Sequence, residues 1–508
     1  MIFTILFVLF TVVVTFDYWK KRGIKHDEPK LFFGTNAKSY LLKRSIAQLA
    51  DDMYWKYPEE RVVGTFRSTT PELLIRDPEI VKRILITDFN HFQHRSIIQI
   101  HEEVDEPLVR HLFTADGDLW RLLRQRLTPA FSSGKLKAMF PLIVERAERL
   151  HTRIYAADGA SIDARDLMAR FTTDFIGACA FGLDMDCLSE ENSQFRKLGT
   201  NIFKVDLTGA FKAVAKEVFP EIFKHVNWIP KHVEEAVLRL VKIVLTQRNY
   251  EPSGRNDFID LLLECKKKGK MVGESICKFK PDGTPEQVAV ELTDGLLAAQ
   301  VFVFFAAGFE TSSSTSSFTL HMLAYHPEKQ KKVQEEVDRV LAQHDNKLSY
   351  DAIKEMTYLE WTFKESMRIL PSVGFLIRKC NKRYTFPDMD LTIDEGVKIM
   401  IPIQAMQNDP KYFENPEEFR PERFDPQVLD SAKTKFVFMP FGEGPRACIG
   451  ERLGLMQSLA GLAAVLSKFT VEPAPTSVRH PDVDPIPGVT QNIKAGLPLL
   501  FRDRKKEN

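Results

Sequence analysis

The run Phe441-Gly442-Glu443-Gly444-Pro445-Arg446-Ala447-Cys448-Ile449-Gly450 sets one cysteine on a glycine-rich loop that leads into the helical pattern Glu451-Arg452-Leu453-Gly454-Leu455. Such a loop can present a thiolate ligand to haem iron. A thiol ligates strongly only as thiolate, and Arg446 and the positive end of the following helix both favour that charge. Gly442, Gly444 and Gly450 let backbone amides come close to the sulfur and tune the electron density it donates. Taken alone, Cys448 also reads as a buried structural thiol in a turn. A second chemical pair lies upstream, where Ala306-Ala307-Gly308-Phe309-Glu310-Thr311-Ser312 sets a carboxylic acid beside an alcohol within the apolar segment 295–325. Phe304, Ala307, Gly308, Thr311 and Thr315 recur at spacings of three and four. They share one helix face, small at its centre, against which a flat cofactor could lie. The competing readings are a membrane span, disfavoured by Glu310 at its centre, and a core helix whose Ser and Thr hydroxyls bond back to the main chain.

Phe441, Gly444, Arg446, Cys448 and Gly450 together match the haem signature of the cytochrome P-450 superfamily, and the chain resembles those haem-thiolate monooxygenases over almost its whole length. The resemblance implies Cys448 as the axial ligand of haem b, with Phe441, Ala307 and Gly308 beside the cofactor and Glu310 with Thr311 managing protons for dioxygen activation. Gly308 would ease a local distortion of the helix. Glu365 and Arg368 stand three apart on one helical face, which alone is an ordinary surface pair. The resemblance adds Arg423, from Pro421-Glu422-Arg423-Phe424, and makes the three a buried triad with a structural role in haem incorporation. For the haem propionates it implies Trp120, Arg124, Arg378 and Arg446, with Arg95 a weaker candidate.

The segments that line the family's substrate pocket are 96–117, the face of the apolar helix, Val373-Gly374-Phe375 and Val489-Thr490-Gln491. Phe304, Phe305, Val373, Phe375, Val489 and Thr490 are the pocket candidates, with Phe302 and Phe309 nearby, and each Phe reads equally as plain core. The chain has no flavin or nicotinamide fingerprint, so electrons must come from another protein. The resemblance implies NADPH through a separate flavoprotein, NADPH-cytochrome reductase, with cytochrome b5 as a second donor. Arg121, Arg124, Arg126, Lys433, Lys435 and Arg452 are the basic residues that could steer an acidic partner; the plainer reading is solvated surface.

The elements that must position these residues are predicted as mainly α with minor β, in a single large catalytic domain over 31–508. With 508 residues, 44% of them hydrophobic, the chain can bury a large core, and a net charge of +1 gives no case for nucleic acid. Short strands are expected at 61–66, 72–75, 384–386 and 397–402, helices through most of 118–245, and a solvated lysine-rich loop at 266–286. The six cysteines include no CxxC pair, so neither a zinc site nor a disulfide framework is expected, and Cys179 and Cys380 read as structural thiols. Residues 2–18 are nearly all apolar and precede Lys20-Lys21-Arg22. They predict an uncleaved transmembrane anchor over 1–19, with Tyr18 and Trp19 at the interface, and a basic linker over 20–30 that keeps the body in the cytosol.

The function these readings support is an endoplasmic-reticulum monooxygenase that oxidises lipophilic small molecules. The stretches 307–313 and 371–380 look most like insect microsomal members, which often oxidise plant toxins and insecticides. The alternative is a haem protein of the same fold that carries or senses a hydrophobic ligand. A further rival rearranges peroxides without a reductase; both are disfavoured by the intact Glu310-Thr311 pair.

Overall fold

The computed structural model describes residues 15–98, 104–182, 187–188, 207–255, 257–486 and 489–504. The chain runs through α1 (Ile46–Lys56), β1 (Val62–Arg67), β2 (Thr70–Ile75), α2 (Gly117–Leu127), α3 (Ser133–Ala156), β3 (Ile162–Asp163) and α4 (Ala164–Phe181). After further helices come β4 (Met271–Phe279), β5 (Pro285–Val290), α5 (Asp294–Ala324), α6 (Thr357–Ile369), β6 (Leu376–Lys379), β7 (Tyr384–Phe386) and β8 (Leu391–Ile393). The last are β9 (Lys398–Ile401), α7 (Ile403–Gln407), α8 (Glu451–Lys468), β10 (Phe469–Pro473) and β11 (Pro498–Asp503). The architecture is helix-rich with minor sheet.

α5 is the axis of the helical layer. Thr293 caps it by accepting the Leu296 amide at 3.2 Å, and its buried residues are spread round its whole circumference. Its most apolar stretch has a mean hydropathy of 1.4, enough by length and composition to cross a membrane, yet 72% of that stretch is buried within the protein. Such a helix is a core element, and it is wrapped by α4, α8 and α6. Glycines set the closest approaches. A Cβ on Gly308 would lie 2.5 Å from Ile176 of α4, and one on Gly461 of α8 would lie 2.6 Å from Phe171. Gly308 therefore admits a neighbouring helix, a packing role beyond the conformational freedom expected of it.

A second core lies under the sheet ordered β1-β2-β9-β6, in which β2 pairs parallel to β9 and β6 antiparallel to β9. The segment expected to be interface and linker belongs to this core. Trp19 is fully buried, its indole N–H donates to the Thr65 carbonyl at 2.8 Å, and a Cβ on Gly64 would strike its ring at 2.5 Å. Tyr18 donates to Asp394 at 3.0 Å, Arg22 pairs with the same carboxylate at 2.5 Å, and His26 bridges to Gly64. Trp19 is thus a packing residue and not a membrane-belt residue: an indole with a flat glycine floor and a carbonyl acceptor gains more inside the protein than at a lipid surface. The body begins by residue 18, and the expected anchor falls mostly on residues 1–14, outside the described residues. Trp19→Ala is expected to cost about 3–5 kcal/mol of folding stability, read as a lowered urea midpoint; an unchanged midpoint would show that the segment is not part of the core.

The lysine-rich 266–286 segment is also not a solvated loop. β4 and β5 form a hairpin around Asp282-Gly283, a turn pair that favours hairpins. The hairpin rests on α2, where Ser275 Oγ and the Ile276 amide both donate to Asp118 at 2.7 Å. Arg126 of α2 donates to the carbonyls of Cys265 (2.9 Å) and Lys270 (3.0 Å). One of the cations expected to steer a partner is therefore partly committed to holding this segment.

Candidate active site around Cys448

The cysteine loop is closed by the Cys448 amide donating to the Phe441 carbonyl at 2.8 Å. Gly442 and Gly444 have φ of 70° and 73°, and a side chain on Gly444 would collide with the Leu85 carbonyl. Gly444 therefore requires glycine, and Gly442 favours it. Burial is the largest influence on the Cys448 thiol and pushes its pKa up; a Gly450 backbone hydrogen bond, Arg124 and Arg95 oppose it. Arg446 was expected to favour the thiolate, but its fork is aimed elsewhere. It donates to the carbonyls of Gln93 (2.8 Å) and Ala115 (2.9 Å), pairs with Asp116 at 2.7 Å, and lies 4.2 Å over the Trp120 ring. A carboxylate and two carbonyls hold it more firmly than a distant sulfur would. Arg124 and Arg95 are the cations beside the loop, donating to the carbonyls of Ala447 (2.8 Å) and Arg446 (2.7 Å).

Despite its depth, the Cys448 side chain is exposed, and so is Ala307 in the middle of buried α5. The two open surfaces flank the crossing of α5 and α8, where Gln457 donates to the Gly308 carbonyl at 2.9 Å and a Cβ on Gly454 would lie 3.8 Å from Ser312 Oγ. Beside them stands an excess of buried positive charge. Arg378 of β6 is 1% exposed, its Nη1 donates only to the adjacent Ile377 carbonyl (2.8 Å), and its Nε has no acceptor among the described residues. Burial, with Arg95 and Arg446 nearby, holds its pKa well below the ordinary range, and Asp116 is the opposing carboxylate. Three arginines around one carboxylate need further anions. Haem, with two carboxylates, a flat apolar body and an iron that takes a thiolate, fits this set of residues. Among the described residues no cluster of His, Cys, Asp or Glu could hold a metal ion by itself. Arg378→Met is expected to raise the stability of the haem-free chain and to weaken haem retention. Unfolding of the haem-free protein and haem transfer to an acceptor protein check both signs; weaker unfolding resistance with unchanged retention would contradict the assignment.

Thr311 and Glu310 do not face each other, since successive helical residues point about 100° apart. Thr311 Oγ1 donates to the Ala307 carbonyl at 2.8 Å, on the open face. Glu310 is 4% exposed and turns to Arg165 of α4, which also donates to Ser313 and Asn492. Glu365, Arg368 and Arg423 do meet. Arg368 holds Glu365 through Nε (2.8 Å) and Nη2 (3.0 Å), and Arg423 Nε donates to the same carboxylate at 3.2 Å.

Of the pocket candidates, Val489 is 43% exposed, and Val373 and Thr490 are half-buried. Phe305 is a correction. It is fully buried and stacks on Phe309 with ring centres 6.3 Å apart, because at 100° per residue it lies about 200° round the helix from Ala307. Phe304 shares the Ala307 side, but its ring is taken up by Phe258 (5.0 Å) and Phe131 (5.3 Å). Phe375 is 8% exposed and packs into the core under the sheet. Sequence reasoning missed Gln300, which accepts the Leu112 amide at 2.9 Å and fixes the 104–117 segment on α5. It brings His111 to 6.1 Å from Phe302. The available signal was one amide in an apolar helix. Arg165, Ser372 and Asn492 were also missed, since no local pattern marks them. A separate cleft of about 480 Å³, lined by Asp27, Lys30, Arg44, Met53 and Glu72 among others, contains none of these residues.

The fold and the cysteine loop define a haem-thiolate protein, and comparison with known proteins agrees. The Cytochrome P450 family model matches residues 27–498. The chain is 36% identical over 495 residues to Cytochrome P450 6B7 of Helicoverpa armigera, covering 97% of this chain and 95% of the relative. It is 38% identical over 472 residues to Cytochrome P450 6a2 of Drosophila melanogaster (91% and 90% covered), and 37% identical over 476 residues to Cytochrome P450 6B1 of Papilio polyxenes (93% and 92% covered). The chain belongs to the cytochrome P450 family and is a P450 monooxygenase similar to these insect members.

Proposed function

We propose that this monooxygenase works at the endoplasmic-reticulum membrane, facing the cytosol, and oxidises lipophilic small molecules of the plant-toxin and insecticide kind with electrons from NADPH. The observation that carries the oxygenase reading is the pair of open surfaces, at Cys448 and at Ala307, on the two sides of the α5–α8 crossing, with Thr311 one helical turn beyond Ala307 and the buried, unmatched charge of Arg378 nearby. Haem bound there supplies the one-electron and dioxygen chemistry that no side chain can. Cys448 would ligate it, Arg378 with Arg95, Arg124, Arg446 and Trp120 would hold its carboxylates, Thr311 offers a hydroxyl at the open face, and Glu310 stands behind it on Arg165. Glu365, Arg368 and Arg423 keep the supporting loops in place for haem incorporation.

The membrane reading rests on exposed apolar side chains in two neighbouring segments. Leu31 (45% exposed), Phe33 (37%) and Leu41 (59%) belong to the first, and Phe211 (70%), Phe219 (41%) and Ile222 (74%) to the second. Phe32 and Phe219 join them, with ring centres 6.1 Å apart. Such a patch favours lipid, and the apolar N-terminal run would anchor it. NADPH-cytochrome reductase, with cytochrome b5 as second donor, would dock on the basic surface around Arg121, Lys433, Lys435 and Arg452. The test is product formation from lipophilic substrates in reconstituted vesicles. Product is expected only when NADPH, reductase and oxygen are present together; ligand binding with no such product would favour a carrier.

A further inference from the structure

The loop that carries Val489 and Thr490 is fastened to both members of the acid–alcohol pair. On one side, Arg165 donates from Nη2 to Glu310 and, at 2.8 Å, to Asn492 Oδ1, and from Nη1 to Ser313 Oγ at 3.2 Å. On the other, the Gln491 amide donates to the Ser372 carbonyl at 2.8 Å. The Ser372 hydroxyl then donates to the Thr311 carbonyl at 3.1 Å and lies 2.6 Å from Thr315 Oγ1. Ser314 Oγ closes onto the Gln491 carbonyl at 3.4 Å. Two consecutive residues thus hold the two sides of α5 at its chemical centre, while Val489 at the other end of the loop is 43% exposed. The Arg165 side chain is 21% exposed and that of Glu310 5%, so the guanidinium stands between the acid and solvent.

We propose that Asn492 is a positioning residue: it keeps Arg165 on Glu310 and so makes the orientation of the acid depend on the 489–492 loop, whose Val489 is exposed. The proposal rests on the oxygenase reading. A guanidinium fork satisfied by three fixed oxygens is pre-organised, and losing one acceptor releases the side chain. Lysine, a single point charge, cannot hold Glu310, Ser313 and Asn492 in that geometry.

The test is a double-mutant cycle in the haem-loaded full chain with reductase. Asn492→Ala is expected to change the peroxide released per NADPH by about three-fold or more at unchanged KM, and to change nothing further in a Glu310→Gln background. Arg165→Lys is expected to give the same pattern and serves if Asn492→Ala does not fold. Independently of turnover, the infrared carboxylate band that Glu310→Gln removes should shift in Asn492→Ala. An effect of equal size in both backgrounds, or a change in KM alone with the band unmoved, would overturn the proposal. Should the wild type show no oxygen uptake dependent on NADPH and reductase, the oxygenase reading fails instead, and the infrared band alone decides whether Asn492 positions the acid.

Discussion

Cys448→Ala is expected to abolish NADPH-dependent turnover and to leave a folded chain. The loop does not depend on the sulfur. Its closure is the backbone hydrogen bond from Cys448 to Phe441, and its shape comes from Gly442 and Gly444. The Cys448 side chain is exposed, so its truncation is expected to move the stability of the haem-free chain by no more than about 0.5 kcal/mol. Without the thiolate, the electron donation on which oxygen chemistry depends is gone. Urea unfolding beside turnover separates the two effects. Persistent turnover would show that another group is the ligand, and a collapsed urea midpoint would show the sulfur to be a structural thiol.

The second large effect is expected at Glu365, where alanine should lower folding stability by about 3–5 kcal/mol. That is a large part of the roughly 5–15 kcal/mol a typical fold has. Glu365 and Arg368 are fully buried and Arg423 is 5% exposed, so removing the carboxylate leaves two guanidiniums without their counter-charge. The loss also reaches the cysteine loop. Arg368 holds the carbonyls of Pro416 (2.6 Å) and Gln407 (3.1 Å), and Gln407 Oε1 accepts the Met439 amide at 3.1 Å, just before Phe441. Less haem-loaded protein and a lower urea midpoint are expected together. A wild-type midpoint would contradict the structural role.

The elements legible in the sequence were those whose pattern is local. α5 declared itself by length and apolarity, and the cysteine loop by glycines whose positive φ only glycine tolerates cheaply. The Glu365–Arg368 pair was visible as helical spacing; its burial was not, because that depends on the distant 414–423 segment folding over it. Long-range choices account for the rest. Trp19 looks like an interfacial residue until Gly64 supplies a flat surface for its ring. Arg446 looks like the partner of its neighbour Cys448 until Asp116, far away in sequence, captures its fork. Phe304 and Phe305 look alike in a row of phenylalanines, yet helical rotation puts Phe305 on the opposite face from Ala307. The 266–286 segment is rich in lysine because its outer face is solvated, while Met271 and Ser275 face inward on alternate turns of the pleat. Arg165 and Asn492 carry no signature of their own, since their meaning comes only from Glu310, which Arg165 joins to Asn492.

Cys448 is proposed to ligate haem as a thiolate in a site built for it. Expressing the full chain, reducing it under carbon monoxide and recording the difference spectrum tests this most directly. The strongly red-shifted band of thiolate-ligated haem is expected; a histidine-like band from folded, haem-loaded protein would show that Cys448 is not the ligand.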